Sequence, residues 1–184
     1  MIKYLGSKRT LVPVLNKLAV ASGANTALDL FTGTTRVARG FKENGLHVTA
    51  VDTASYSQVF AKTWIELDAR DHDNAELDAA LGHLASLAPE AGYFTQTFCL
   101  DARYFQPKNG ERVDAIRNAI ESDYKNSWLY EPLLAALMLA ADRVDSTTGI
   151  QMAYLKQWAR RSSNALELQN PGLIAGGGRA ILGD

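Results

Sequence analysis

The sequence has a single cysteine, few histidines and no long apolar run, and each shortage excludes a class of protein. Cys99 cannot form an internal disulfide, which excludes a disulfide-stapled secreted domain. The apolar runs are interrupted by charges well before 18 residues, and the first ten residues lack the apolar core of a signal peptide. The three histidines show no metal-ligand spacing. We therefore expect a cytoplasmic protein without a membrane span, with no metal site and with Cys99 in its core.

Charge of one sign is also lacking, because the 184 residues carry a formal net charge of only −1. No overall positive field attracts nucleic acid, so any contact with DNA requires a local basic face. Hydrophobic residues make up 47% and charged residues 21% of the chain, which is ordinary for a globular protein. The length suffices for one sizeable core.

The first third of the sequence alternates between strand and helix patterns. Apolar residues at helical spacing over 10–20 are followed by a short apolar run at 26–31. A second amphipathic segment, 34–45, ends at a glycine, and the β-branched run 46–52 precedes a third helical segment at 55–70. Such alternation predicts an α/β fold with a parallel, doubly wound, Rossmann-like sheet.

The middle of the chain has a different character. Leucines at helical spacing predict a helix over 74–88, and two further helices are predicted over 111–126 and 130–146. The aromatic-rich stretch 92–110 between them is irregular and ends in a predicted loop at Pro107–Gly110. A strand pattern returns only at 178–184. The sheet is therefore predicted to be partial and to be interrupted by a helical insertion of about a hundred residues.

Acidic residues end both predicted strands of the first third. Asp29 is followed by Phe31 and Gly33, and Asp52 ends the next strand. Ligands of such sheets bind where the strands end, a glycine lets the backbone approach them, and an acid at the second strand accepts ribose hydroxyls. The glycine pattern that binds a pyrophosphate is missing, and Asp29 suits an ammonium group better than a phosphate. A ligand with an ammonium group at one end and a ribose at the other matches Asp29 and Asp52, and S-adenosylmethionine is such a ligand. The alternative is that both acids are merely polar strand ends.

The segment "KYLGSK" at 3–8 offers a second group for the same ligand. A Gly-Ser turn beside Lys8 presents backbone N–H groups and an ammonium to a carboxylate. The alternative is a solvated basic N-terminus.

Three motifs in this order, "KYLGSK" at 3–8, "DLFTGTTRVA" at 29–38 and "VD" at 51–52, resemble the adenine-specific DNA methyltransferases of the Dam-like, α-ordered group. Two longer stretches, "YFQPKNGERVDAIRNAIE" at 104–121 and "GIQMAYLKQWARR" at 149–161, resemble the restriction–modification branch of that group. The resemblance covers nearly the whole chain. It implies a partial methyltransferase sheet, with a donor-binding half at 1–70, a DNA-recognition insertion at 71–175 and the next strand starting at 176–184.

The resemblance also implies roles for single residues. Tyr4 and Lys8 match positions that contact the methyl donor, and Asp29, Phe31 and Gly33 match the loop around its methionine part. Asp52 matches the ribose-binding acid, and Asp184 is implied to lie near the adenine ring of the donor. Thr35 stands where the family often has a second glycine. A threonine hydroxyl can cap the following helix, so we expect donor binding to survive with an altered loop geometry.

The family's catalytic motif, Asp/Asn-Pro-Pro-Tyr/Phe, is missing from this sequence, in which no two of the five prolines are adjacent. In the family that motif holds the flipped adenine by hydrogen bonding and stacking. We therefore assign no catalytic residue. The expectation is an N-terminal portion of a methyltransferase that is inactive by itself and that associates with itself or with a complementary C-terminal segment.

The predicted partner is double-stranded DNA. Lys156, Arg160 and Arg161 share one face if 154–161 is helical, and that face is suited to phosphates. The alternative is that this face is simply solvated. The three tryptophans, Trp64, Trp128 and Trp158, are predicted to lie in the core. Two other function classes remain open: a non-catalytic DNA- or partner-binding module with a vestigial donor pocket, and a nucleotide-dependent oxidoreductase, which the missing second glycine disfavours.

Overall fold

The computed structural model describes residues 8–147 and 157–183, and these residues form two compact units. One unit, the sheet unit, contains residues 8–75 and 171–183; the other, the helical unit, contains residues 76–147 and 157–170. No helix among the described residues is long and apolar enough to cross a membrane.

The sheet unit contains three parallel strands in the order β1–β2–β3, so the predicted α/β fold with a partial parallel sheet is confirmed. Leu28 of β1 pairs with Thr49 of β2, which in turn pairs with Arg179 of β3. Its elements are α1 (Val12–Ala21), β1 (Thr26–Leu30), α2 (Arg36–Glu43), β2 (His47–Asp52), α3 (Ser55–Ala61), a π-helical turn (Lys62–Glu66) and β3 (Gly178–Leu182).

A close approach between α1 and α2 depends on Gly40. A Cβ atom at this position would lie 2.6 Å from Asn16 Oδ1 and 2.9 Å from Val12 Cγ1. The two helices therefore pack with no room for a side chain at residue 40. Gly45 then ends the turn after α2 with a φ of +85°, the left-handed conformation that glycine adopts without strain, as the sequence predicted.

The sheet has one covered and one uncovered face. Val48 and Ala50 of β2 are fully buried, and Asp29 of β1 is buried on the same side. Leu28 and Leu30 point to the other face and remain 59% and 55% exposed. A leucine in a sheet is usually covered, because burying it contributes about 1.5–3 kcal/mol. This face of β1 is therefore an apolar surface that no described residue covers.

The helical unit is built around one hydrophobic core. Leucines 77, 81 and 84, predicted to share a helix face, are all buried, and Ile116, Ile120 and Leu133 pack with them. The elements are α4 (Asn74–Ser86), a π-helical segment (Thr95–Asp101), α5 (Pro107–Asp123), α6 (Tyr130–Val144) and a 3₁₀ turn (Arg160–Ser163).

The structure corrects several predicted boundaries. The predicted helix 55–70 ends earlier, because Leu67 is extended with a ψ of 138° after the π-helical turn. The predicted loop Pro107–Gly110 is instead the first turn of α5: proline is tolerated there because the first helical N–H needs no intrahelical partner. Gly110 is buried, and a Cβ at this position would collide with Cys99 Sγ. Cys99 itself is buried as predicted, and burial raises the pKa of its thiol to about 11.

A buried lysine connects α2 to the π-helical turn of the sheet unit. Lys42 is only 2% exposed, and its Nζ donates hydrogen bonds to the carbonyl oxygens of Ile65 (2.9 Å) and Leu67 (2.6 Å). Carbonyls at a helix end have no intrahelical partner, so the ammonium satisfies them. Burial lowers the pKa of Lys42 from its usual 10.5 to about 8, partly offset by Asp68.

We predict that Lys42→Met lowers the free energy of unfolding by about 1–3 kcal/mol at neutral pH, because it leaves two buried carbonyls without a donor. The wild type should gain stability relative to this variant between about pH 8 and 10.5, because the unfolded chain then binds a proton that folded Lys42 has released. Urea unfolding at pH 7 and pH 9.5 measures both effects. If the difference in free energy of unfolding between wild type and Lys42→Met is the same at both pH values, the lowered pKa of Lys42 is contradicted.

Candidate functional site

The loop between β1 and α2 has an unusual backbone. Phe31, Gly33 and Thr35 have φ values of +56°, +56° and +58°. Left-handed conformations are easy for glycine but costly for a phenylalanine and especially for a β-branched threonine. Strain of this kind persists where the surrounding structure imposes it, and it clusters at binding sites.

Thr35 does not cap α2, so the hydroxyl cap that the sequence allowed is not formed. Its Oγ1 donates to the carbonyl oxygen of Thr34 at 2.8 Å, and the side chain makes no hydrogen bond to the helix N-terminus. The left-handed backbone directs the hydroxyl back along the loop. This φ also gives a physical reason for a glycine at the position, because glycine adopts it without strain.

Asp29 provides the cap that Thr35 does not. Its side chain is buried, and Oδ2 accepts hydrogen bonds from Thr32 Oγ1 (2.9 Å) and from the N–H of Ala38 in the first turn of α2 (3.2 Å). A carboxylate at this end of a helix also interacts favourably with the helix dipole. Asp29 is thus an anchor of the loop, and its described hydrogen bonds use one oxygen only.

Asp52 joins the loops that follow two neighbouring strands. Its Oδ2 accepts the N–H of Gly33 at 2.8 Å, and its Oδ1 accepts the N–H of Ala54 at 2.9 Å. Each carboxylate oxygen has a second lone pair and can accept one more hydrogen bond. The backbone carbonyl of Asp52 accepts the N–H of Gly183, just after β3. The carboxylate is therefore held at the carboxyl end of the sheet with acceptor capacity to spare.

The structure brings some of the predicted donor-binding residues together and leaves others apart. Gly33 and Asp52 are hydrogen-bonded, and Asp29 anchors the same loop. Phe31 lies on this loop with its ring 73% exposed. Lys8 begins an exposed 3₁₀ turn before α1, and no hydrogen bond or ion pair joins it to these residues in the described part of the chain. Tyr4 and Asp184 lie outside the described residues.

Two polar residues at the loop were missed by sequence reasoning. Thr32, buried beside Asp29, completes the anchor of the loop. Arg36 begins α2, and its Nε is buried without a hydrogen-bond partner. A cation at a helix N-terminus opposes the helix dipole, so the fold gains nothing from it. Its position three residues after Gly33 was the signal available in the sequence, and an anionic ligand group would satisfy the free N–H.

The predicted basic face of the helical unit has a different geometry. Ala159 is extended with a ψ of 138°, so Arg160 and Arg161 start a separate 3₁₀ turn and the predicted continuous helical face is wrong in its described part. Arg160 is exposed, whereas Arg161 Nε contacts Asp145 Oδ1 at 2.7 Å and its Nη2 donates to the carbonyl of Thr147. Lys156 lies outside the described residues.

The three predicted core tryptophans do not share one environment. Trp64 is buried, stacked on Phe60 with Arg39 over its ring at 4.2 Å. Trp128 is partly buried against the core of the helical unit. Trp158 is 36% exposed, so its predicted place in the core is wrong: it stands on the extended stretch before the 3₁₀ turn rather than on a helix that packs inwards.

Comparison with known proteins gives one consistent result. The model of the D12 class N6 adenine-specific DNA methyltransferase family matches residues 4–180. The chain is 33% identical to the modification methylase StsI of Streptococcus sanguinis over 186 residues, covering 92% of this chain and 28% of that protein. It is 32% identical to the type II methyltransferase M.NlaIII of Neisseria lactamica over 182 residues, covering 91% and 53%.

A third relative, the type II methyltransferase M.FokI of Planomicrobium okeanokoites, is 25% identical over 187 residues, which cover 91% of this chain and 29% of that protein. The chain thus spans at most about half the length of these relatives. No solved structure matches it significantly.

We predict that Asp29→Ala lowers the free energy of unfolding by about 1–3 kcal/mol, because it leaves the Ala38 N–H and the Thr32 hydroxyl without their acceptor. Urea unfolding measures the change. Asp71→Ala, which removes an exposed acid of the same unit, serves as the control and should change stability by less than about 0.5 kcal/mol. Equal effects of the two substitutions would show that Asp29 is not the anchor.

Proposed function

The chain belongs to the D12 class N6 adenine-specific DNA methyltransferases, and we propose that it comprises the donor-binding half and the DNA-recognition region of such an enzyme. The proposed reaction of the whole enzyme moves a methyl group from S-adenosylmethionine to the exocyclic amino nitrogen of an adenine in DNA. The relatives that support this proposal are named a modification methylase and a type II methyltransferase.

One observation carries the proposal for donor binding. The Asp52 carboxylate is hydrogen-bonded to the loops after β1 and β2 at the carboxyl end of a parallel sheet. This is the place where nucleotide-like ligands bind in such sheets, and an acid there accepts hydrogen bonds from ribose hydroxyls. We propose that Asp52 does so for the donor, using the lone pairs that Gly33 and Ala54 leave free.

The loop supplies surroundings suited to the methionine part of the donor. The exposed ring of Phe31 gains apolar contact when a ligand covers it, and Gly33 allows the ligand to approach the backbone. Asp29 keeps one oxygen outside its described hydrogen bonds, and a carboxylate attracts the donor's ammonium group. The residues therefore fit S-adenosylmethionine, which supplies an electrophilic methyl group when bound.

Three further donor contacts stay proposals that rest on the family resemblance. Tyr4 and Lys8 are proposed to contact the donor, with Lys8 paired to its carboxylate. Arg36, whose Nε has no partner, is a second group suited to that carboxylate. Asp184 is proposed to lie near the adenine ring.

The proposal for DNA concerns the helical unit, which lies in the sequence between the donor-binding half and the next strand. Lys156 and Arg160 are proposed to contact phosphates. Arg161 is already paired with Asp145, so it contributes to DNA binding mainly by holding the 3₁₀ turn in place.

The methyl-transfer step requires a catalytic motif that this sequence does not contain in the family's form. The adenine amino group is a weak nucleophile, because its lone pair is delocalised into the ring. A methyltransferase must hold the flipped base in an attacking geometry. No two prolines of the sequence are adjacent, so the family's motif for this task is missing. We propose that it lies on a complementary segment.

The uncovered face of β1 supports a complementary segment as a partner. Leu28 and Leu30 are exposed, and β1 pairs only with β2 among the described strands, so one strand edge stays open. Open edges with apolar neighbours promote pairing with another chain. Because the relatives are two to four times longer, a C-terminal segment is the proposed occupant, and self-association is the alternative.

We predict that S-adenosylmethionine binds to the chain and that Asp52→Asn weakens this binding about 10-fold or more, because an amide replaces the charged acceptor of the ribose hydroxyls. Isothermal titration calorimetry at neutral pH measures both affinities. Asp71→Asn is the matched control, because it changes an exposed acid of the same unit and should leave the affinity unchanged. Circular dichroism confirms that both variants are folded. Equal affinity of wild type and Asp52→Asn would remove Asp52 from the site.

We predict that the chain alone transfers no methyl group to DNA, and that activity appears when the segment carrying the Pro-Pro-aromatic motif is supplied. Labelled donor and adenine-containing duplex, incubated with the chain alone and with both pieces, measure the transfer. Methylation by the chain alone would contradict the prediction and would show that the chain contains a catalytic group outside the Pro-Pro-aromatic motif. Donor binding without methylation by both pieces would favour a non-catalytic DNA- or partner-binding module with a vestigial pocket.

A further inference from the structure

Trp158 and Arg103 form an exposed pair on the helical unit. The guanidinium carbon of Arg103 lies 5.4 Å from the centre of the Trp158 ring, within the range of a cation–π contact. Both side chains are exposed. Trp158 keeps 36% of its surface exposed, so part of the indole beside Arg103 is accessible to a partner.

The chain that follows Trp158 is held by several hydrogen bonds. Asn109, which is 1% exposed, donates from Nδ2 to the carbonyls of Ser162 and Asn164, and its Oδ1 accepts the N–H of Leu166. Arg161 is paired with Asp145, and the N–H of Ala159 donates to Ser146 Oγ. The backbone that follows the indole, from Ala159 to Leu166, is therefore anchored in the helical unit.

Arg103 is held in a strained backbone conformation. Its φ is +56°, which is uncommon for a residue other than glycine, asparagine or aspartate. The adjacent residue Tyr104 is tied on both sides, since its N–H donates to the carbonyl of Phe98 and its carbonyl accepts the N–H of Ser146. These bonds hold the chain in the strained turn from which the Arg103 side chain reaches Trp158.

The charges around the pair are mainly positive. Arg160 follows Trp158 by two residues and is exposed, and Lys108 Nζ reaches the carbonyl of Ser163 in the same turn. Of the acids in these segments, Asp145 is paired with Arg161, whereas Asp101 is exposed and keeps its charge while it accepts a hydrogen bond from Gln96. The surface thus combines an aromatic face, a planar guanidinium and unneutralised cations.

We infer that Trp158, Arg103 and Arg160 form a stacking surface, here called the Trp158 surface, for an unpaired base of DNA. The base stacks on the part of the indole that Arg103 leaves exposed, beside the guanidinium, and Arg160 contacts the phosphate next to it. Stacking on aromatic and arginine planes is open only to bases that have left the duplex stack. This inference rests on the proposed function, because a methyltransferase that flips its adenine leaves bases locally unpaired.

The test compares two DNA duplexes of equal length, one fully paired and one with a single unpaired base, by fluorescence anisotropy at fixed salt. The wild type should prefer the duplex with the unpaired base about 10-fold. Trp158→Ala should abolish this preference, and Trp158→Phe should keep part of it, because a smaller aromatic ring still stacks. The paired duplex should bind to all three proteins with nearly equal affinity.

Arg160→Ala should weaken the binding of both duplexes and reduce the salt slope by about 0.9, the value for one phosphate contact. Arg117→Ala is the matched control, because Arg117 is exposed in the same unit but is paired with Glu121. Arg117→Ala should change the affinity for DNA and the salt slope less than Arg160→Ala does. Arg103→Gln should lower the preference for the unpaired base and leave the salt slope of the paired duplex nearly unchanged.

Intrinsic fluorescence gives an independent readout. Trp64 is buried and Trp128 is partly buried, so quenching by DNA should come mainly from Trp158 and should be lost in Trp158→Phe. An unchanged preference in Trp158→Ala, or undiminished quenching in Trp158→Phe, would overturn the Trp158 surface. Donor binding with no DNA binding would also overturn it while leaving the donor site intact. Loss of donor binding alone would instead count against the proposed function.

Discussion

The hydrogen bond from the Gly33 N–H to the Asp52 carboxylate is the contact on which the proposed donor site depends. It joins the loop after β1 to the end of β2, and the second oxygen of Asp52 holds the start of the next loop. Asp29 fixes the other end of the glycine loop by capping α2. With both ends held, the backbone of Phe31, Gly33 and Thr35 stays in a left-handed conformation that a free loop would leave.

Asp29 and Asp52 therefore have different roles, although each is an aspartate near the end of a predicted strand. Asp29 is buried and anchors the loop through one oxygen, whereas Asp52 is only partly buried and holds a loop with each of its two oxygens. A ligand that binds at this end of the sheet meets a frame that is already ordered. Less conformational entropy is then lost on binding than if the loop had to fold around the ligand.

Much of the fold could be predicted from the sequence, since its signals are local. The run 26–31, the β-branched strand 46–52 and the glycine stop at Gly45 each carry their own pattern, and the parallel sheet follows from their alternation. The predicted family is confirmed. The sequence indicates it through three short motifs in a fixed order and two longer stretches. The π-helical turns were not predictable, because they depend on tertiary contacts such as those of Lys42 with Ile65 and Leu67.

The site was less predictable than the fold for the same reason. The positions of Asp29 and Asp52 follow from the strand ends, and donor binding by them stays a prediction. The cap from Asp29 could not be foreseen, because it depends on the backbone of Thr35, where a threonine adopts a glycine-like φ. The prediction that Trp158 lies in the core is wrong because the predicted helix does not continue through Ala159. That residue is extended, and its N–H is hydrogen-bonded to Ser146, which is distant in sequence.

The pairing of β3 with β2 has a consequence for how this chain reaches its native state. Val51 and Ile181 are direct partners, so the third strand joins the sheet only after a loop of roughly 125 residues has been closed. The helical unit between them has a core of its own, formed within residues 77–166. Early collapse of these helices would shorten the effective loop. The rate at which the sheet forms should then be governed by the stability of a unit that contributes no strand to it.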